Sequence, residues 1–286
     1  AGYDQHQGQQ QRKKTFSHRF PSLFLVFCAY IVNIIVPNYN NGPWLDKCLA
    51  SIASQKYQDY ELIFVDDKST DNSVQIAENW RNKFKHAYTV ESGRKLWNGG
   101  ARNLGLNFCH GDYVLYLDSD DTFADDMCLT EIDKAIRENN SPDLVRLSYY
   151  FCQDGNERLV DLGGQNTIAS IVSDMNVACW TKAVKRELIV PFPENTLMED
   201  VVQHIAQLDN IKTVAATSKG IVKWNRDNTN SCSNNLELQN GKWRSSLYRY
   251  YADLLDLRVN NLDCQLELEK RRAQARQNIL NDKYEQ

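Results

Sequence analysis

The chain has 286 residues, 42% hydrophobic and 24% charged, with a formal net charge of −4. That length supports one sizeable core plus a small appendage, and the balance excludes wholesale disorder. The acidic excess excludes bulk attraction to polyanions, so a nucleic-acid partner would need a local basic patch.

Residues 1–22 are polar and Gln-rich, with Arg12, Lys13, Lys14 and Arg19, and an apolar run follows from Leu23 to Tyr30. The run is interrupted by Asn33 and falls short of the roughly 20 residues of a spanning helix, so no transmembrane segment is expected. An arm packed on the domain is the expectation for 1–30, with peripheral membrane contact as the alternative. From Ile31 strand and helix patterns alternate. Strands are expected over 31–36, 61–65, 87–90, 113–117 and 144–149, and helices over 44–54, 73–80, 100–109 and 124–139. A polar, Gly-containing stretch over 152–164 suits a hairpin. From Leu236 a helical pattern takes over, with Leu247, Tyr250, Tyr251, Leu254 and Leu255 on one face. The chain therefore reads as an arm (1–30), an α/β domain (31–235) and a C-terminal helical extension (236–286).

Eight cysteines at 28, 48, 109, 128, 152, 179, 232 and 264 form no Cys-x-x-Cys pair, and the five histidines do not cluster with them. Reduced thiols in a cytoplasmic protein are the expectation, rather than a disulfide framework or a zinc site.

The most informative stretch is Tyr113-Val114-Leu115-Tyr116-Leu117-Asp118-Ser119-Asp120-Asp121. A buried-looking strand delivers three carboxylates in four positions at its carboxyl end. Like charges packed so closely call for a cation, and an open α/β sheet binds ligands at that edge. Two more strands end in polar turns, Val36-Pro37-Asn38-Tyr39-Asn40 and Val65-Asp66-Asp67-Lys68-Ser69-Thr70-Asp71. Together the three describe a mononucleotide-binding half-sheet.

With Ala101-Arg102-Asn103-Leu104-Gly105, Trp180-Thr181-Lys182 and Glu199-Asp200, these pieces resemble, in the same order, the inverting family-2 glycosyltransferases with the GT-A fold, in their soluble, non-processive branch. The resemblance implies an α/β fold of GT-A type, a Rossmann-like, mainly parallel sheet flanked by helices. It implies that Asp120, with Asp118, holds Mn²⁺ or Mg²⁺, and that Asp118 also faces the donor ribose. Pro37, Asn38, Tyr39, Asp66, Asp67, Arg102 and Arg226 would line the donor nucleotide. Asp200 would be the catalytic base, oriented by Glu199, and Trp180 and Lys182 would meet the acceptor. The family usually carries Gly where this chain has Lys68, which implies a locally different loop.

The implied reaction moves a hexose, glucose foremost, from a UDP-sugar to a hydroxyl, most readily of a saccharide, to form a β-glycosidic bond. Three other readings stay open. Lys242-Trp243-Arg244 and Tyr248-Arg249-Tyr250-Tyr251, with the basic arm, interleave cations and aromatics, so the acceptor could be a sugar on modified DNA. The chain could also be a catalytically silent nucleotide-sugar-binding module, or a nucleotidyltransferase releasing pyrophosphate. Bland readings compete residue by residue: Asp71 and Asp121 as helix caps, Trp180 as core, and Arg102 as a surface helix arginine.

Overall fold

The computed structural model describes residues 32–163, 167–169, 171, 176–196, 198–231, 250, 252, 253 and 255–284. The arm at 1–30 lies outside them, as do Leu247, Tyr251 and Leu254 of the apolar helix face. Among the described residues no helix is long and apolar enough to cross a membrane.

A seven-stranded sheet forms the centre, in the order β10-β6-β9-β4-β1-β2-β3. Its strands are β1 (Val32–Asn38), β2 (Tyr60–Asp66), β3 (Ala87–Glu91), β4 (Tyr113–Tyr116), β6 (Leu144–Arg146), β9 (Lys182–Lys185) and β10 (Val214–Ala216). β1 and β2 are buried at every position, as expected of interior parallel strands covered on both faces. β1 is parallel to both β2 and β4, pairing Ile35 with Ile63 and with Tyr116. That register brings Asn38, Asp66 and the Asp118 turn to one edge. Only β9 runs antiparallel to its neighbours, β4 and β6.

Among the described residues six helices flank or extend the sheets: α1 (Gly42–Ala53), α2 (Ser73–Trp80), α3 (Trp97–Leu106), α4 (Cys128–Glu138), α5 (Glu199–Asp209) and α6 (Leu262–Tyr284). α3 sits close on the sheet because Gly105 has no side chain; a Cβ there would lie 2.7 Å from Ile35 Cγ2. α5 contributes Val201, Val202, Ile205 and Leu208 to a second core, shared with Cys264, Leu268 and Ala275 of α6 and with Tyr250.

The helix expected over 124–139 starts only at Cys128, and two further expectations change. The strand expected over 144–149 breaks into β6 and β7 (Tyr149–Gln153), which belong to different sheets. Ser148 ends the first ladder: its N–H donates to Thr217 Oγ1 at 3.1 Å, and its hydroxyl accepts from the Leu162 N–H at 2.8 Å. β7 joins β5 (Thr122–Phe123), β8 (Asn156–Val160) and β11 (Val222–Asn225) in a four-stranded sheet ordered β5-β11-β7-β8. The hairpin expected over 152–164 is β7–β8, turning at Asp154 and Gly155, both with positive φ. The second change is at α3, which starts at Trp97 rather than at 100, because Asp67 caps it.

Candidate active site

A cleft of about 650 Å³ opens at the carboxyl ends of β1, β2 and β4. Pro37, Asn38, Tyr39, Asp67, Asp118 and Asp120 line it among others, with Lys68, Lys95 and Trp97 on one side and Trp224 and Asn225 on another.

The donor-side carboxylates hold the walls in place. Asp66 is buried and accepts from Asn38 Nδ2 at 3.0 Å and from the Ser69 N–H at 2.9 Å, tying the first two strand ends together. Asp67 accepts from the Leu96 N–H at 2.6 Å and the Trp97 N–H at 2.8 Å, satisfying free donors at the start of α3. Ser92 Oγ donates to it at 3.2 Å and Lys95 Nζ pairs with it at 3.0 Å. The capping task read for Asp71 therefore belongs to Asp67 as well. Asp71 accepts from the Ser73 N–H at 3.0 Å and from the Gly42 N–H at 2.9 Å, serving two helices at once. Lys68 has a left-handed backbone, φ 65°, a conformation that glycine adopts without a steric penalty.

The acidic turn is held by asparagines that sequence reasoning missed. Asn228, itself buried, donates to Asp120 Oδ2 at 2.7 Å and to Asn41 Oδ1 at 3.2 Å. Asn225 donates its backbone N–H to Asp121 Oδ1 at 2.8 Å. Their signal is the polar run Asn225-Arg226-Asp227-Asn228-Thr229-Asn230 after a strand. The capping alternative for Asp121 fails: α4 begins later, and Asp125 accepts from the Met127 N–H at 2.9 Å at its start. Burial, reinforced by the Asp118 charge, pushes the Asp120 carboxyl up to about 6, although Asn228 draws it down. Asp121 is pushed up by burial and by both neighbouring carboxylates, and its Oδ2 is buried without a hydrogen-bond partner.

Arg102 joins the two halves of the site. From the middle of α3, its Nη2 donates to Asp118 Oδ1 at 2.8 Å and its Nη1 to Glu199 Oε1 at 2.7 Å. Its side chain is 4% exposed. The positive charge expected beside the nucleotide, or alternatively on a helix surface, is instead buried between two carboxylates. Asn103 makes a reciprocal pair with Phe192, donating to its carbonyl at 2.9 Å and accepting its N–H at 2.8 Å. Gly99 leaves room for the same segment, since a Cβ would lie 2.6 Å from the Pro193 carbonyl oxygen. Through these contacts α3 seats the loop that leads into α5. Glu199 and Asp200 open α5; Asp200 is half-buried, with Oδ1 accepting from the Val201 N–H at 2.9 Å. Burial pushes both carboxyls up, while Arg102 draws them down.

Both acceptor expectations are corrected. Trp180 is buried among aromatic rings, 4.9 Å from Tyr149 and 5.5 Å from Trp224 between centroids, and has no face to offer a sugar. Lys182 is buried, and its ammonium is spent on the carbonyls of Ala178 at 2.7 Å and of Asn176 and Val177 at 3.3 Å each. Trp224 reaches the cleft, as do Tyr39 and Trp97. Arg226 does not line it but stacks on Trp224, its guanidinium carbon 4.7 Å from the ring centre. Of the interleaved basic and aromatic residues, Tyr250 is buried in the second core; Lys242, Trp243, Arg244, Tyr248, Arg249 and Tyr251 lie outside the described residues.

A Rossmann-like sheet with an acidic turn at its ligand edge, an asparagine-braced cleft and a Glu-Asp helix start joined to that turn through Arg102 define a GT-A-type glycosyltransferase. The comparisons agree. The chain belongs to glycosyl transferase family 2, whose family model matches residues 33–181. An uncharacterized glycosyltransferase of Haemophilus influenzae is 29% identical over 222 residues, 76% of this chain and 87% of the relative. The poly(ribitol-phosphate) beta-N-acetylglucosaminyltransferase TarS of Staphylococcus aureus is 36% identical over 91 residues, 31% of this chain but only 16% of TarS. Among solved structures, TarS 1-349 in complex with UDP-GlcNAc superimposes with a TM-score of 0.67 at 21% identity, covering 83% of this chain and 70% of that one. The mannosyltransferase PcManGT of Pyrobaculum calidifontis with GDP-Man and Mn²⁺ gives 0.60 at 16% identity, covering 86% and 70%.

Proposed function

We propose that this glycosyltransferase moves a hexose, glucose foremost, from a UDP-sugar to a hydroxyl of a saccharide, with metal dependence and inversion, so that an α-linked donor yields a β-glycoside. The observation that carries the reading is the Arg102 bridge. It ties Asp118, at the floor of the cleft, to Glu199, the residue beside Asp200. A donor-binding edge and a proton-accepting group are thereby held to one rigid helix.

The residues fit a divalent ion. Asp118 and Asp120 offer only oxygen, and the unpartnered Asp121 Oδ2 behind them marks a turn with more negative charge than the protein itself satisfies. Among the described residues no three His, Cys, Asp or Glu side chains form a cage. Asp118 and Asp120 are the residues that would hold the ion. When bound, Mn²⁺ or Mg²⁺ supplies positive charge that stabilises the departing nucleoside diphosphate. The bound GDP-Man and Mn²⁺ of PcManGT and the UDP-GlcNAc of TarS support this donor chemistry.

On this reading Pro37, Asn38, Tyr39 and Asp67 receive the nucleotide, with Asp66 fixing their geometry. Asp200 takes the proton of the acceptor hydroxyl as that oxygen attacks the anomeric carbon from the face opposite UDP. The raised Asp200 carboxyl is more basic than an exposed aspartate, which favours proton acceptance.

The test is to incubate the protein with a panel of UDP-hexoses, Mn²⁺ and saccharide acceptors and to follow UDP. Metal-dependent UDP release is expected. Asp200→Asn should lose transfer by about 10²–10⁴-fold while retaining UDP binding. Release of pyrophosphate, or normal transfer by Asp200→Asn, would overturn the reading.

A further inference from the structure

We propose that Lys95 is a plug in the donor's nucleobase slot: its ammonium stands between Tyr39 and Trp97 on Asp67 until the base of a nucleoside diphosphate sugar expels it. The proposal rests on the transferase reading and adds to it a residue that sets how tightly the donor nucleotide is held.

Asp67 shows why something must leave. A carboxylate offers about four lone-pair sites, and here all of them are taken. Oδ1 accepts from the Leu96 N–H at 2.6 Å and from Ser92 Oγ at 3.2 Å, while Oδ2 accepts from the Trp97 N–H at 2.8 Å and from Lys95 Nζ at 3.0 Å. Three of these donors belong to the start of α3 or to a buried serine, and withdrawing them would unravel the helix start. Lys95 is the fourth. Its side chain is 31% exposed against 3% for Asp67, and its ammonium rides on a flexible stem. The N–H edge of a base therefore reaches Asp67 only by taking the ammonium's place.

The same ammonium covers the stacking surface. Lys95 Nζ lies 2.9 Å from the centre of the Tyr39 ring and 5.7 Å from that of Trp97, and all three residues line the cleft. A flat aromatic base suits either ring face. Trp97 is kept on the cleft wall at a cost. Its φ is 63°, a left-handed backbone in which a bulky residue is a genuine outlier. Such strain persists where the surroundings over-determine it, and it gathers at ligand-binding sites. Here the bond from the Trp97 N–H to Asp67 enforces it. Carboxylate, plug and aromatic walls thus form one unit. A cation seated in it lowers the apparent affinity for a base in proportion to the fraction of molecules whose slot it closes.

The experiment uses the full chain and two probes: uridine, which is neutral and reads the slot without diphosphate attraction, and UDP as the reference ligand. In calorimetry Lys95→Ala should bind uridine about three- to tenfold tighter than the parent protein, and Lys95→Gln should bind it tighter too. Raising salt should tighten uridine binding in the parent, because it weakens the Lys95–Asp67 pair, and should have no such effect in Lys95→Ala. Trp97→Gly should weaken uridine binding at least about fivefold, with a Tm no lower than the parent's, since released strain offsets lost contacts. Unchanged or weaker uridine binding in Lys95→Ala overturns the plug, because it makes Lys95 a bystander or a contact of the base. Should Lys95→Ala fail to fold, Lys95→Gln decides in the same way. Unchanged binding in Trp97→Gly overturns the slot. If UDP binds but is never released from a UDP-sugar, the transferase reading fails while the uridine series still decides the plug. If neither probe binds, both fall.

Discussion

Arg102 and Glu199, 97 positions apart in the chain, form a buried ion pair of 2.7 Å, and the same guanidinium holds Asp118. Removing one partner of a buried pair leaves uncompensated charge behind. Arg102→Met should therefore cost about 3–5 kcal/mol in urea unfolding and abolish transfer. Arg102→Lys, a point charge that cannot fork between two carboxylates, should lose less stability yet still lose most activity.

Gly99→Ala should act on the same assembly from the other side. Its Cβ would meet the Pro193 carbonyl oxygen, a backbone atom that must move with the loop leading to Asp200. A fall in kcat of about 10²-fold with a smaller change in donor KM is the expected outcome of steady-state kinetics.

Lys68→Gly should stabilise the protein. Lysine at φ 65° bears the left-handed penalty that glycine escapes, less glycine's own entropy cost, for a net gain of about 0.5–1 kcal/mol. Thermal unfolding checks it.

Trp180→Ala should cost about 3–5 kcal/mol through the cavity it leaves. Trp180→Phe, which keeps an aromatic ring in the cluster, should leave acceptor KM little changed in kinetics with any competent acceptor. A selective rise in acceptor KM for Trp180→Phe would restore the tryptophan to the acceptor site.

Asp71 links stability to pH. Burial pushes its carboxyl up, but hydrogen bonds from Ser73 and Gly42 outweigh this and hold it below 3.8. A lowered folded value means that the contribution is present above the unfolded value and is lost as pH falls through the folded one. Between about pH 6 and pH 3 the urea midpoint should fall less steeply in Asp71→Asn than in the parent protein.

Much of the architecture was legible because it is written locally. The runs in β1, β2 and β4 are mostly apolar and buried at every position because interior strands are covered on both faces, and polar turns follow each of them. α2 was legible at both ends, and Asp118 and Asp120 do line the cleft. The break at Ser148 was not legible, because residues far along the chain, Thr217 and Leu162, make it.

The chain alone determined most of the elements from β1 to α4 and that Asn38, Asp67, Asp118 and Asp120 gather at the sheet's carboxyl edge, since burial periodicity and turn chemistry act over a few residues. Only the tertiary structure decided what each polar side chain bonds to. Arginine, lysine and tryptophan serve equally well inside or outside a site, and burial settles the choice. Arg102 went between two acids, Lys182 onto carbonyls and Trp180 into the core, because a buried charge or N–H group must find partners wherever the fold delivers them.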